Sequence, residues 1–303
     1  MTARGVPFLS VVVPTYNRAP LLRGCLDSLV EQDFPPDQYE IIVVDDGSVD
    51  DTPEVVAVIQ GRVNHPRLRY VRVEGRRLTT ARNAGVRPAL GDPIVFVDDD
   101  VLTPASWLRA IADGSLRHPD AGCLGGPVRL RFEGKLPTLC ARDRLGESEL
   151  DLGGSERAVN FVCGANMALR RWAIERVGVF NEVLSEVGDE IEWELRLTQA
   201  GGRIVYLPAA VLWHRRTARD LRLWRLLQKR FRRGSQEISF ARLEGRHLSL
   251  RHELTAIPRF LAHTVRRGCV GGLLSASACA GRAWGLVWGG ADRPMSSSCG
   301  VLP

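Results

Sequence analysis

Ile94-Val95-Phe96-Val97-Asp98-Asp99-Asp100 joins four apolar residues, three of them β-branched, to three consecutive carboxylates. A short unbroken apolar run suits a strand covered on both faces, as in a parallel sheet. Three adjacent carboxylates repel one another unless a cation or a set of donors offsets their charge. A solvated acidic turn is the alternative reading. Position favours a site, because α/β sheets bind ligands beyond the carboxyl ends of their strands.

Toward the N-terminus the same grammar recurs twice. Leu9–Val13 is a second apolar run and ends in Pro14-Thr15-Tyr16-Asn17-Arg18. Ile41–Val44 is a third and ends in Asp45-Asp46-Gly47-Ser48. Between the first two, Leu21, Leu22, Cys25, Leu26, Leu29 and Val30 recur on one helical face. A short helix with Pro53 near its start follows, then a strand over 68–73 and a helix over 79–89. After the carboxylates, a helix behind Pro104 presents Trp107, Leu108 and Ile111. This succession predicts an α/β fold: a Rossmann-like, mainly parallel sheet with helices on both faces. The three polar clusters, distant in sequence, then meet at one edge of the sheet.

Farther on, strands are expected over 123–130, 167–169, 204–206 and 211–213, and a helix over 190–199 that stops at Gly201-Gly202. Residues 132–157 lack periodicity and read as a functional loop. The composition changes beyond His214. Residues 215–303 hold 17 Arg and Lys against 5 Asp and Glu, while residues 1–214 hold 24 against 30. An acidic front and a basic rear predict two regions with different tasks, a catalytic domain over 1–214 and a basic helical extension over 215–303. In the extension, residues 219–245 read as an amphipathic helix, and 269–290 as a Gly- and Ser-containing apolar helix that carries Arg282. That helix is expected to pack or lie on a membrane rather than span it.

Seven cysteines without CxxC spacing predict reduced thiols rather than a disulfide framework or zinc site. The N-terminus carries no apolar signal segment, so the expected location is cytoplasmic, with peripheral contact at the inner membrane face. No nucleic-acid reader motif accompanies the basic residues. A Gly-rich phosphate turn is absent after the first strand, which argues against a dinucleotide-dependent dehydrogenase, and no GxxxxGK[ST] occurs.

The polar clusters at the strand ends are consistent with transfer of a sugar from a nucleoside diphosphate. Such a transfer needs a cation for the leaving group, a pocket for the nucleoside and a base for the acceptor hydroxyl. The carboxylates of 98–100 suit Mg2+ or Mn2+, which favour oxygen ligands and share their shells with phosphates. The segments at 14–18 and 45–48 offer stacking and hydrogen-bonding groups for a nucleoside. A nucleotidyltransferase, or a sugar-nucleotide binder without activity, would use related residues.

In order along the chain, VVVPTYNR, VVDDGSVDDT, ARNAG, FVDDD, CGANMALRR and FNEVLSEVGDEIEWELRL resemble the family 2 glycosyltransferases, which have the GT-A fold. The resemblance spans residues 8–214. It implies transfer of a sugar from a nucleotide-diphosphate donor to a hydroxyl. The adjacent carboxylates predict metal dependence, one positioned base with no second carboxylate poised as nucleophile predicts inversion, and the basic extension predicts a carbohydrate or lipid-linked acceptor in cell-envelope polysaccharide or glycolipid synthesis. The resemblance places Pro14, Thr15, Tyr16, Asp46, Arg82, Asp98 and Asp99 on the donor side and Gly164, Ala165 and Asn166 on the acceptor side. Asp100 and His214 would ligate the metal. Many members carry Glu-Asp where this chain has Asp189-Glu190. That reversal makes Glu190 the expected base and Asp189 its competitor, with Glu192 a weaker one.

Overall fold

The computed structural model describes residues 7–74, 77–139, 149–182, 188–243 and 246–288. Cys140, Cys299 and most of the expected loop's middle lie outside these residues. The chain divides into two compact units, one of residues 1–133 with 146–216 and one of 134–145 with 217–303.

In the first unit, β1 (Leu9–Thr15), α1 (Ala19–Val30), β2 (Tyr39–Asp45), α2 (Thr52–Arg62), β3 (Arg67–Arg72), α3 (Leu78–Val86) and β4 (Ile94–Val97) alternate as the apolar runs predict. Then come β5 (Val101–Leu102), α4 (Trp107–Arg117), β6 (Ala121–Gly125), β7 (Val128–Glu133), β8 (Arg157–Val159) and β9 (Asn166–Leu169). The unit closes with α5 (Arg171–Val177), α6 (Asp189–Gln199), β10 (Arg203–Tyr206) and β11 (Leu212–Thr217).

The large sheet has the order β3-β2-β1-β4-β9-β6-β10-β8. β1 runs parallel to both β2 and β4, and β2 parallel to β3. β9 is antiparallel to β4 and β6, and β8 antiparallel to β10. The sheet is therefore mainly parallel. Every residue of β1, β2 and β4 is buried, as strands covered on both faces require. Strand order reverses at β1, with β2 on one side and β4 on the other. Such a switch opens a crevice at the carboxyl ends of the diverging strands.

The expected strand over 123–130 is two strands. Gly126 sits so close to the Ala210 and Leu207 carbonyls that a Cβ there would lie 2.2 Å from Ala210 O. The chain turns at Gly126-Pro127, and β7 joins β5 and β11 in a separate three-stranded sheet.

The second unit contains α7 (Leu223–Leu243), α8 (Leu250–Arg267) and α9 (Val270–Trp288). α8, closed by Gly268 in the left-handed region, was not evident as a separate element in the sequence. α9 packs against both α7 and α8 through glycines. A Cβ on Gly281 would lie 2.0 Å from Phe231 O on α7, and one on Gly272 would lie 2.2 Å from Phe260 O on α8. Arg282 of α9 is paired with Glu253 at 3.0 Å and Glu237 at 3.1 Å. Among the described residues, no helix is long and apolar enough to cross a membrane. Among the described residues, Cys25, Cys123, Cys163, Cys269 and Cys279 are in no disulfide.

Candidate active site

At the switch point, Thr15 ends β1 and the carboxylates of 98–100 follow β4. Thr15 Oγ1 donates to Asp99 Oδ2 at 2.7 Å across the crevice. Arg18 Nη1 donates to Asp99 Oδ1 and Arg18 Nη2 to Asp100 Oδ2, each at 2.8 Å. Asp99 is thus buried and braced by Thr15 and Arg18 of the β1 loop. Arg18, the last residue of the first motif, is the cation that holds the two carboxylates together. Pro14 is buried within β1, opposite Val44. Tyr16 is exposed, and Asn17 adopts a positive φ of 52°.

The second cluster closes the same crevice. Asp46 N donates to Thr15 O at 2.9 Å, and Asp46 is buried. Asp45 accepts from Ser48 N at 2.8 Å, from Arg72 Nη1 at 3.3 Å and from the Tyr70 hydroxyl. Ser48 Oγ in turn accepts from Asn17 N at 2.9 Å. Two turn-forming segments, ambiguous one at a time, brace each other once folded.

The metal-type cluster is Asp98, Asp100 and His214, whose candidate ligand atoms all lie within 4.8 Å of one another. Register brings the histidine there. β11 pairs antiparallel with β5, setting His214 opposite Val101, one residue past Asp100. Arg215 N donates to Asp100 O at 2.8 Å, and His214 Nε2 lies 2.7 Å from Asp100 Oδ1. Burial alone would raise the Asp100 pKa. His214, Arg18 and Arg216 overcome it and hold this carboxyl well below the ordinary range. Asp98 is only partly buried and sits 3.7 Å from Arg82 Nη2. Two carboxylates and one imidazole form a donor set that a divalent cation such as Mn2+ could accept.

Arg82, on α3, joins this cluster to the acidic start of α6. Its guanidinium is buried over the Phe180 ring at 5.5 Å. Nη1 lies 2.5 Å from Asp189 Oδ2 and 3.8 Å from Glu190 Oε2. Gly164 is needed beside it, since a Cβ at 164 would lie 2.8 Å from Arg82 Nη2. The α6 N-terminus is set by Gly188, whose φ of 90° lies in the left-handed region.

The three acids of that turn have separate fates. The Asp189 side chain is 1% exposed and that of Glu190 24%. Burial would raise Asp189, but Arg82 more than offsets it and holds the carboxyl below its ordinary value. Glu190 is raised to about 8, first by burial and then by neighbouring Asp189. Glu192 pairs with Arg196 at 2.8 Å, one turn on, and serves the helix surface.

Glu194, also on α6, is not among the expected site residues. It is 1% exposed, its Oε1 accepts from Val162 N at 2.8 Å, and its Oε2 is buried without a hydrogen-bond partner. Burial raises its pKa to about 9, so it is a neutral carboxylic acid under the 162–164 segment. No spacing signal distinguishes it from an ordinary exposed helix glutamate.

Asn166, expected on the acceptor side, lies in the core. Its Nδ2 donates to Ala210 O at 2.7 Å and Pro127 O at 3.1 Å, and its Oδ1 accepts from Trp107 Nε1 at 3.0 Å. With its amide committed, it braces three segments. Gly164 and Ala165 are buried as well. Cys163 is no activated nucleophile, since burial raises its thiol to about 12.

Residues 10–178 match Glycosyl transferase family 2. The chain is 28% identical over 248 residues to glycosyltransferase AglE of Haloferax volcanii, across 81% of this chain and 77% of that protein. It is 31% identical over 237 residues to the pre-mycofactocin glycosyltransferase of Mycobacterium tuberculosis. That match takes in 75% of this chain but 46% of the relative, so the chain spans about half of the longer protein. A mannosyltransferase of Pyrobaculum calidifontis, solved in complex with GDP-Man and Mn2+, superposes with a TM-score of 0.65 at 24% identity, covering 94% of this chain and 88% of that one. S. aureus TarS in complex with UDP-GlcNAc gives a TM-score of 0.52 at 21% identity, over 69% and 58% of the respective chains. At these identities the structural likeness establishes a common fold.

Proposed function

We propose, from the premise that this chain belongs to glycosyl transferase family 2, that it moves a sugar from a nucleoside-diphosphate donor to a hydroxyl acceptor with inversion, using Glu190 as base. The observation that carries this reading is the division of labour at the start of α6. Asp189 is buried against Arg82, whereas Glu190 keeps an exposed edge and a pKa raised to about 8. A base poised near neutral pH takes a hydroxyl proton better than an ordinary carboxylate.

Asp98, Asp100 and His214 would hold a divalent cation. Bound there, Mn2+ or Mg2+ would offset the charge on the departing diphosphate. Tyr16 and the segment around Asp46 would receive the nucleoside. Arg82 would hold Asp189 ionised and keep the donor side and the base in fixed register. With one positioned carboxylate at the acceptor side, a single displacement is the fitting route, hence inversion. The basic extension suits an acceptor presented at an anionic membrane surface, as in glycolipid or envelope polysaccharide synthesis.

The test is Glu190→Gln with a donor labelled in its sugar. Transfer should fall at least about 100-fold, as for loss of a positioned base, while donor binding by calorimetry stays within about twofold. NMR of the wild-type product should give the inverted anomer. A retained anomer, or unchanged turnover in the variant, overturns the assignment. Label arriving from the nucleotide moiety instead would identify a nucleotidyltransferase.

A further inference from the structure

α8 has an outward face that suits no aqueous helix. Leu250, Leu254, Leu261 and Val265 are 38%, 52%, 41% and 85% exposed. At 3.6 residues per turn these four positions fall within an arc of about 60°, and Pro258, also exposed, borders it. The stripe runs almost the full length of the helix.

The rest of α8 is equally ordered. Glu253, Ile257, Phe260 and Thr264 turn toward the interior of the unit, where Phe260 and Thr264 meet Gly272 of α9. On the other margin of the stripe stand Arg251, Arg259 and Arg266, all exposed. Glu253 is the only acid on the helix, and it is buried and paired with Arg282. The outer surface of α8 therefore carries arginines and no carboxylate.

We propose that α8 is the element that docks this protein on an anionic lipid surface, lying in the plane of the interface with its leucine and valine stripe among the acyl chains. This rests on the membrane reading of the basic extension and names the surface responsible. Arginine stems can cover the apolar margin while their guanidinium groups reach lipid phosphates. A nucleic acid would satisfy the arginines but leaves the apolar stripe in water. A bilayer interface answers both.

The full chain would be sedimented with phosphatidylcholine vesicles, with and without phosphatidylglycerol, beside two triple variants. In Leu254→Ser/Leu261→Ser/Val265→Ser the stripe is lost, and in Arg251→Gln/Arg259→Gln/Arg266→Gln the charge is lost. All six side chains are exposed, so both variants should keep the wild-type circular dichroism spectrum.

The wild type should bind only vesicles containing phosphatidylglycerol, and less as salt rises. The arginine variant should bind on the order of 100-fold more weakly, from about fivefold per basic residue. The stripe variant should lose binding by at least about tenfold at every salt concentration. Wild-type binding with undiminished binding by both variants would overturn the role of α8 and leave the membrane reading standing on another surface. A wild type that ignores anionic vesicles at low salt would overturn both. A wild type that is dimeric without lipid, and monomeric as the stripe variant, would assign the face to a second copy and also overturn the proposal.

Discussion

Glu190 and Glu194 are one helical turn apart and differ in surroundings. To act as the proposed base Glu190 must lose its proton, and burial beside Asp189 raises its pKa to about 8. The acid form predominates below that value, so kcat/KM should climb through a single limb near pH 8 and level off above it. A profile flat from pH 6 to about pH 9 would exclude Glu190 as the base. Glu194 is neutral and needs only its acceptor oxygen. Glu194→Gln keeps an oxygen for Val162 N, so kcat should change little. Glu194→Ala leaves that N–H unsatisfied, and should cost about 1–3 kcal/mol in stability along with a clear loss of kcat. The stability sign follows from linkage. The folded value of about 9 lies above the ordinary 4.5, so the folded chain holds a proton that the unfolded chain releases between those limits. Wild type should therefore lose stability relative to Glu194→Gln as pH rises from about 5 to about 8, by about 1 kcal/mol per unit. Parallel denaturation curves for the two proteins across that range would refute a buried neutral Glu194.

At the scale of elements, the site depends on close approach. α3 carries Arg82 and Asn83, and it lies on β1 and β2 at Gly85. A Cβ there would fall 2.3 Å from Val12 Cγ1 and 3.2 Å from Val44 Cγ2. Asn83 ties the same helix to the segment before α6, donating to Phe180 O at 2.9 Å and accepting from Phe180 N at 3.0 Å. Gly85→Ala should lift α3 from the sheet, cost about 1–3 kcal/mol in chemical denaturation, and weaken turnover by displacing Arg82. An unchanged denaturation midpoint would mean that the strands yield there. The glycine of the Ala81–Gly85 motif was legible as a pattern. Its reason, two valine side chains from separate strands, was not.

For the molecule as a whole, ligand linkage is the practical test of the donor and metal reading. A ligand that binds only the folded state raises stability by RT ln(1 + [L]/Kd). Because Asp98, Asp100 and His214 cluster where donor phosphates would also coordinate, a nucleotide sugar and Mn2+ should raise Tm together by more than the sum of each alone. EDTA should abolish both that excess and sugar transfer. Additive shifts, or full transfer in EDTA, would separate the carboxylate cluster from the reaction.

The sequence by itself determined the parallel half of the fold, because apolar runs of four or five residues followed by polar turns admit few other readings. It also placed the clusters at 14–18, 45–48 and 98–100 at strand ends, where a crevice collects them. Only the tertiary structure decided what surrounds each acid. Three adjacent aspartates look alike as letters, yet Asp99 is bound to Thr15 and Arg18 while Asp100 faces His214. Asn166, on the acceptor side by resemblance, has its amide committed to Pro127 and Ala210. The difference is made by partners about 30 to 110 residues away in the chain, whose arrival depends on register and helix packing. Charge, burial and pKa are properties of that assembled neighbourhood, and no local pattern contains them.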